Sequence, residues 1–516
     1  MQVKAETSFH PIAALTAATR RHPGRLLALV LFVHFIVWSA LPFLVDANLP
    51  LDLAEDLALG KEWQIGYWKH PPLPWWVADL ALRTSGSIDA VYILGPLAAV
   101  ICLYGVWLLG RNVVGPFAAL LAVLPLEGIH FYNFSAVKFA HDQMQLPFWA
   151  FTALFFHRAI IKGNMKYWLL AGALLAGAFW SKYAAFALAA SLGLFLLVDP
   201  AARRSWGTPG PYLMALTFVI VIAPNAMWVV DHDFLPFRYV DERAQSAVHW
   251  YDYLVHPLRW VVSQVQFTFP ALVLMALLYG RADGGLRPCA GEAALFDRRY
   301  VTALALGPFA VTTIVAAMLG RLPVAMWGYP LWSFGPLAIV MWLKPVSDDR
   351  RLRRFAIAFI AIFIAFPLVY AAVELWEPLV NDRHKAAIFP GRALAETITR
   401  QWRDRTGTAL VYVGGAEVGT GPGEIAVNNV AVYSPDRPHV IVHGNPRLSP
   451  WIDLADLERR GAVFVWEQET TDPFVPAHLR ETFSRLEMQP PIALARQNRF
   501  SRAPEIIGYA VVPPQR

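Results

Sequence analysis

The chain has 516 residues, of which 56% are hydrophobic and only 16% charged. Soluble globular chains carry about a quarter charged residues, so this balance excludes an ordinary soluble fold and points to a polytopic α-helical membrane protein. The net charge of +6 is spread through short loops, so it argues for no nucleic-acid partner and instead reports on membrane sidedness.

Residues 1–24 read as a cytoplasmic N-terminal segment. The first apolar run, in "RRHPGRLLALVLFVHFIVWSALPFLV", is long enough to span and lacks a clear small-residue cleavage site, so it is a membrane anchor rather than a cleaved signal. A transmembrane domain over 25–377 follows, with about eleven spans suited to a hydrocarbon core of about 30 Å. They are 25–45, 91–109, 113–129, 144–161, 167–180, 183–198, 211–230, 258–279, 300–319, 323–343 and 355–375. The fifth and sixth also read as one bent unit. The two cysteines, Cys102 in an apolar run and Cys289 in a polar loop, make no disulfide framework.

Lys and Arg set the orientation. With the N-terminus cytoplasmic, the inner side collects Arg20, Arg21, Arg25, Arg158, Lys162, Arg281, Arg287 and Lys344, while the opposite loops hold most of the acids. An odd number of spans then puts the C-terminus outside. After about residue 378 the texture changes. "TALVYVGG", "HVIVHG" and "AVFVWEQ" read as short buried strands, and "WIDLADLERRG" as an amphipathic helix ending at a Gly. Residues 378–516 are therefore expected to form a small extra-membrane α/β domain, interrupted by the turn-rich "GTGPGEIAVNN". No G-x-G-x-x-G joins a strand to a helix there, so a dinucleotide site is not expected.

The chemistry gathers on the outer side. The first loop, 46–90, contains "PLDLAEDLALGKEWQIGYWKHPPLPWW", with Asp52, Glu55, Lys69 and His70 beside an oily segment. Asp142 lies in the second outer loop, just before span four, and Lys182 sits among apolar residues at the outer junction of spans five and six. Arg238, Arg243 and His249 precede span eight, and Arg321 precedes span ten. Carboxylates and cations together suit group transfer from a phosphate-bearing lipid: cations neutralise the phosphate while a carboxylate deprotonates the acceptor. Simpler roles exist for each. Asp52 and Glu55 fit a D-x-x-E capping box, "HPP" a rigid turn, and Asp142 a helix cap. Lys182 could snorkel, and the aromatics at 63, 67, 68, 75 and 76 could form an interfacial belt. No metal signature is present, although Asp52, Glu55, Asp142 or His232 could take a divalent cation with phosphate oxygens.

The Asp after the first span, "GYWKHPPLPWW", the second-loop Asp and "GAFWSKYAAF" together resemble glycosyltransferase family 39. These are membrane enzymes of the GT-C class, kin to protein O-mannosyltransferases and the bacterial aminoarabinose transferase. The likeness covers about residues 25–345. It implies a polyprenyl-phosphate-linked sugar donor, a lipid, glycan or protein acceptor, and inverting transfer at the periplasmic face of a bacterial inner membrane. It makes Asp52 the catalytic carboxylate and Asp142 its assistant, with Glu55 as a displaced acid; Lys182 and His70 contact the carrier phosphate. Many relatives place an acid directly before "HPP" or "KP". Here that position is Lys69, which would supply positive charge in place of any metal bound there. A transporter or flippase, or an inactive carrier-binding relative, are the other readings. Acids concentrated in outer loops and the absence of a clear repeat weigh against transport.

Overall fold

A computed structural model describes residues 20–279, 292–343, 349–380, 385–416, 424–497 and 504–515. Most of the N-terminal segment, Arg281, Arg287, Cys289 and Lys344 lie outside those residues.

All eleven apolar runs fold as helix. They give α1 (Pro23–Val45), then, after the first loop with α2 (Leu51–Gly60) and α3 (Leu73–Ser85), α4 (Leu94–Val113). Next come α5 (Pro116–Val123), α6 (His141–Lys162), α7 (Met165–Ser181) and α8 (Ala185–Val198). The series continues with α9 (Gly210–Asp231), a short α10 (Leu235–Arg243), α11 (Asp252–Leu277) and α12 (Glu292–Met318). It closes with α13 (Gly335–Trp342) and α14 (Asp349–Val380).

Six of these segments are long and apolar enough to cross a membrane by length and composition, and the bent pair Ala185–Val198 with Pro200–Gly207 could add a seventh. The other expected spans are helical but shorter, broken or polar at one end. The third run becomes a 3-10 turn at Leu124–Gly128, and the tenth starts as a 3-10 stretch, Ala325–Trp332, before α13. Pro125 and Pro330 lie in those stretches, where a residue without an N–H cannot continue an α-helical ladder. Helix α6 starts three residues before the fourth run, and its first residues, His141 and Asp142, line a polar cavity.

Lys182 separates the fifth and sixth runs. It leaves the helix with extended backbone (φ −161°, ψ 138°), so α7 and α8 are two helices. Tyr183 then donates its hydroxyl to Asn225 Oδ1 at 3.1 Å, and Asn225 Nδ2 donates to the carbonyl of Ile65 at 2.7 Å. The S-K-Y segment thereby braces the first loop from a distance in sequence.

The C-terminal region adds α15 (Gly391–Thr406) and α16 (Ile425–Tyr433) to a mixed sheet. A strand Tyr412–Gly415 pairs in parallel with His439–Ile441 and with Ala462–Gln468. The last of these pairs antiparallel with Glu505–Val512, which also carries Glu487–Met488 and Ile492–Leu494. The three strands and the helix Leu454–Arg460 fall where the hydrophobic alternation puts them. The second half of "GTGPGEIAVNN" is helix α16 rather than a turn, and residues 417–423 lie outside the described ones. This domain is seated on the first loop. The N–H groups of Ala47 and Asn48 donate to the carbonyl of Ala387 at 3.0 and 2.9 Å. Glu62 pairs with His439 at 2.8 Å, and the Lys61 ammonium meets the carbonyls of Arg437 and Pro438. Leu53, Leu57, Tyr67 and Trp75 share one core with Val413, Val430 and Val465.

Candidate active site

The "GYWKHPP" stretch is a packed corner before it is a binding surface. A Cβ on Gly66 would lie 2.1 Å from the Trp228 ring, so only glycine lets the loop rest against the end of α9. Tyr67 donates its hydroxyl to the Leu59 carbonyl at 2.9 Å and stacks edge-on to Trp75 at 4.2 Å. Tyr67 and Trp75 are fully buried and Trp68 nearly so, which removes them from the expected interfacial belt; Trp63 remains exposed. Tyr67 also meets Trp451 and Trp68 meets His443, so these aromatics join the first loop to the C-terminal domain.

Asp52 does not cap α2. The helix is entered through Pro50 with no side-chain cap, and Asp52 lies inside the first turn, one turn before Glu55. Asp142 likewise follows an N-cap at Ala140, whose N–H is taken by Gln143 Oε1 at 3.0 Å. Both acids are thus free of capping duty and both line a cavity of about 670 Å³, together with Lys69, His70, Lys138 and Lys182. A second cavity of about 1280 Å³ lies between α10 and the C-terminal domain and includes Arg238, His443 and Arg447. The two share Asp52, Glu55, Lys69, Tyr239 and Arg243 as a common wall. Helix α10 carries Arg238, Tyr239 and Arg243 there after a turn at Asp233 and Phe234, both left-handed (φ 52° and 56°).

Charges are paired unevenly. Lys182 Nζ is 2.6 Å from Asp142 Oδ2 and 6.0 Å from the centre of the Trp327 ring. Lys69 sits astride Glu55, 2.5 and 2.6 Å from its two oxygens, and 3.7 Å from Glu424 of the C-terminal domain. Glu424 also meets His443 at 3.3 Å. Burial opposes the charge on Lys69, but Glu424 and Glu55 outweigh it and hold the ammonium above the ordinary lysine range. Burial alone would raise Glu424; Lys69 and His443 overcome that and keep it below its usual range. One ammonium cannot serve two carboxylates equally, and Glu424 has the second partner. Glu55 holds the closer contacts to Lys69, yet burial, with Glu424 and Asp52 adding to it, pushes it up to about 8. Burial also raises Asp52, against the pull of Lys69 and Lys138, and raises its neighbour Asp56 strongly. Burial, with His141, Lys182 and Lys69 close by, pushes His70 well below the usual histidine range. That shift favours the neutral imidazole, which can still hydrogen-bond a phosphate.

Of the residues singled out from sequence, Asp52, Glu55, Asp142, Lys69, His70, Lys182 and Arg243 meet at the first cavity, and Arg238 lines the second. Arg321 lines neither. It pairs with Asp241 and Ser246, tying the loop after α10 to the two-residue strand Arg321–Leu322. His249 lies in an exposed turn held by Asp252. Lys138, Tyr239, His141 and Glu424 were not foreseen. Lys138, in "NFSAVKFAHDQ", is a base on the base-poor side and forms no ion pair among the described residues; Glu424 sits in the tail, far from any recognisable motif.

Of the donors proposed for a divalent ion, Asp52, Glu55 and Asp142 line the first cavity and His232 does not. His232 Nδ1 is bonded to the Trp228 carbonyl at 2.8 Å, and its ring stacks on Trp228 at 4.0 Å. Asp142 and Glu55 are each held by a lysine ammonium, which repels a cation. Among the described residues, no group of three His, Cys, Asp or Glu is arranged to hold a metal.

The helical bundle and the α/β domain seated on the acid-bearing first loop make an architecture with counterparts among known proteins. Residues 69–228 match the family described as Dolichyl-phosphate-mannose-protein mannosyltransferase. The chain is 27% identical over 232 residues to the lipid A galacturonosyltransferase RgtD of Rhizobium johnstonii, covering 43% of this chain. It spans about half the length of that relative, 46%. Among solved structures it is similar in fold to ArnT from Cupriavidus metallidurans in the apo state, with a TM-score of 0.59 and 12% identity over 95% of this chain and 98% of that one. The same protein bound to undecaprenyl phosphate aligns with a TM-score of 0.59 over 94% of this chain and 98% of that one.

Proposed function

We propose that this protein is a glycosyltransferase that moves a monosaccharide from a polyprenyl-phosphate carrier to a lipid, glycan or protein acceptor, with inversion. The observation that carries the reading is the common wall between the two cavities, where a half-buried Asp52 stands beside Lys69 with cations on either side. Two spaces meeting at one acid suit a donor and an acceptor meeting at one base. The fold shared with ArnT, whose structure holds undecaprenyl phosphate, and the match to a lipid A galacturonosyltransferase support a lipid-linked donor.

In the proposed reaction the acceptor hydroxyl attacks the anomeric carbon from the face opposite the phosphate. The C–O bond to the acceptor forms, the C–O bond to the phosphate breaks, and the hydroxyl proton passes to Asp52. The carrier leaves as its phosphate anion, a leaving group that needs no protonation. Lys138, Lys182 and Arg243 stabilise the charge that gathers on it, and the neutral His70 ring contributes a hydrogen bond. Lys69 stays with its carboxylates and keeps Asp52 in reach of its ionised form despite burial. Burial that raises Asp52 also makes it a better proton acceptor once ionised. The positive-inside pattern of the loops supports a periplasmic side for this chemistry and for the C-terminal domain, at an inner membrane.

The test is turnover by purified protein in lipid nanodiscs, given a panel of polyprenyl-phosphate sugars and membrane-derived acceptors. Sugar leaving the carrier in wild type, unchanged by EDTA, supports the reading. Carrier binding with no release from any donor in the presence of acceptor lipids would reject it in favour of a carrier-binding or transport role.

A further inference from the structure

The Lys69 ammonium is enclosed by groups from three parts of the chain. Glu55 of the first loop touches it at 2.5 and 2.6 Å, and Glu424, at the start of α16, approaches to 3.7 Å. The rings of Trp68 and Tyr239 lie 5.4 and 6.0 Å away. Lys69 itself is 8% exposed. Glu424 is fixed in turn by His443 at 3.3 Å, and His443 takes a left-handed backbone (φ 50°) that a β-carbon-bearing residue adopts only at a cost. That strained turn places the ring edge-on against Trp68 at 5.2 Å. A lone surface pair would not be built this way.

We propose that Glu424 is a positioning residue: with Glu55 it holds the Lys69 ammonium at the wall beside Asp52, so transfer requires the C-terminal domain to be seated on the first loop. The inference rests on the glycosyl-transfer reading above. Glu424 touches no reacting atom in this scheme and acts through Lys69. With Glu424 neutral, Lys69 keeps only Glu55 of the first loop as a carboxylate partner, and the C-terminal domain no longer helps fix the ammonium at the shared wall. The groups facing this cluster are Asp52, Glu55 and Asp56 from α2, Tyr239 and Arg243 from α10, and His443 from the C-terminal domain.

A double-mutant cycle reads this directly. Glu424→Gln in the full-length protein is expected to lower kcat on the order of 10- to 100-fold, the cost of a misplaced charge, with little change in KM for the carrier. In a Lys69→Met background, where kcat is already reduced, adding Glu424→Gln is expected to change kcat by less than about twofold, because the path it uses is gone. Glu424→Asp, which keeps the charge, should recover part of the rate. Equal losses in both backgrounds would overturn the proposal, as would Glu424→Gln turning over normally. Loss in both Glu424→Gln and Glu424→Asp, matched by an equal fall in melting temperature, would reduce Glu424 to a fold-stabilising residue. Wild-type protein that releases no sugar from any donor removes the glycosyl-transfer reading and this inference with it. Turnover in wild type with additive variants removes the inference alone.

Discussion

Replacing Asp52 with Asn preserves side-chain size and removes the only feature the mechanism needs, a carboxylate able to accept a proton. General-base catalysis contributes about 10²- to 10⁴-fold, which corresponds to about 2.7–5.4 kcal/mol of barrier at about 1.36 kcal/mol per decade. Transfer by Asp52→Asn should fall by that factor while carrier binding stays near normal. Stability should move the other way or not at all. Asp52 accepts no hydrogen bond among the described residues, and burial raises it above its ordinary value of 3.8. An acid raised in the fold stabilises it fully only below its unfolded value, and that contribution is lost as pH rises through the folded one. At neutral pH wild type therefore carries an ionisation penalty that Asn does not. The assay is single-turnover release of sugar from carrier in nanodiscs, beside carrier binding and a melting curve on the same preparation. Near-normal turnover would refute Asp52 as the base. A fall in melting temperature with parallel loss of carrier binding would refute the reasoning that places it free in the cavity.

Lys182→Met should chiefly weaken carrier-phosphate binding. It removes a charge-assisted contact worth about 1.5–3 kcal/mol, or about 10- to 150-fold in Kd, measured by carrier titration in nanodiscs. Gly66→Ala drives a methyl group into the Trp228 ring, so the first loop must shift; a loss of about 1–3 kcal/mol in stability with reduced turnover is expected from denaturation and activity assays. Glu55 is held up at about 8 in the fold against an ordinary value of 4.5. Its stabilising contribution is present below about pH 4.5 and is lost as pH rises to about 8, so Glu55→Gln should flatten the stability–pH curve across that window. An unchanged slope would mean that Lys69 fully offsets the burial of Glu55.

Much of the fold is readable in the chain because apolar runs of membrane length admit few structures besides helices. The first-loop acids, Lys69, His70, Asp142 and Lys182 were also legible, as ionisable groups that an oily chain does not place at its membrane boundaries without cause. Other features were not. Three of the tail's strands, Glu487–Met488, Ile492–Leu494 and Glu505–Val512, escaped notice because two are too short for an alternating pattern, and "EIIGYAVV" is buried along nearly its whole length. The aromatics of "GYWKHPPLPWW" resemble a membrane belt in sequence, because nothing local tells a ring that meets lipid from one that meets another domain.

The sequence by itself determined the class of molecule, the positions of its helices and the identities of its acids and bases, since these follow from hydropathy, length and side-chain chemistry along a single segment. Only the tertiary structure decided which charges are paired. Lys182 finds Asp142 across 40 positions, and Lys69 finds Glu424 across more than half the chain, while Arg321, equally basic, is spent on Asp241. Burial then set the protonation of each group: the same desolvation that neutralises His70 raises Glu55 and Asp52. Ion pairing and desolvation depend on distance in space, and a linear order of residues does not contain it.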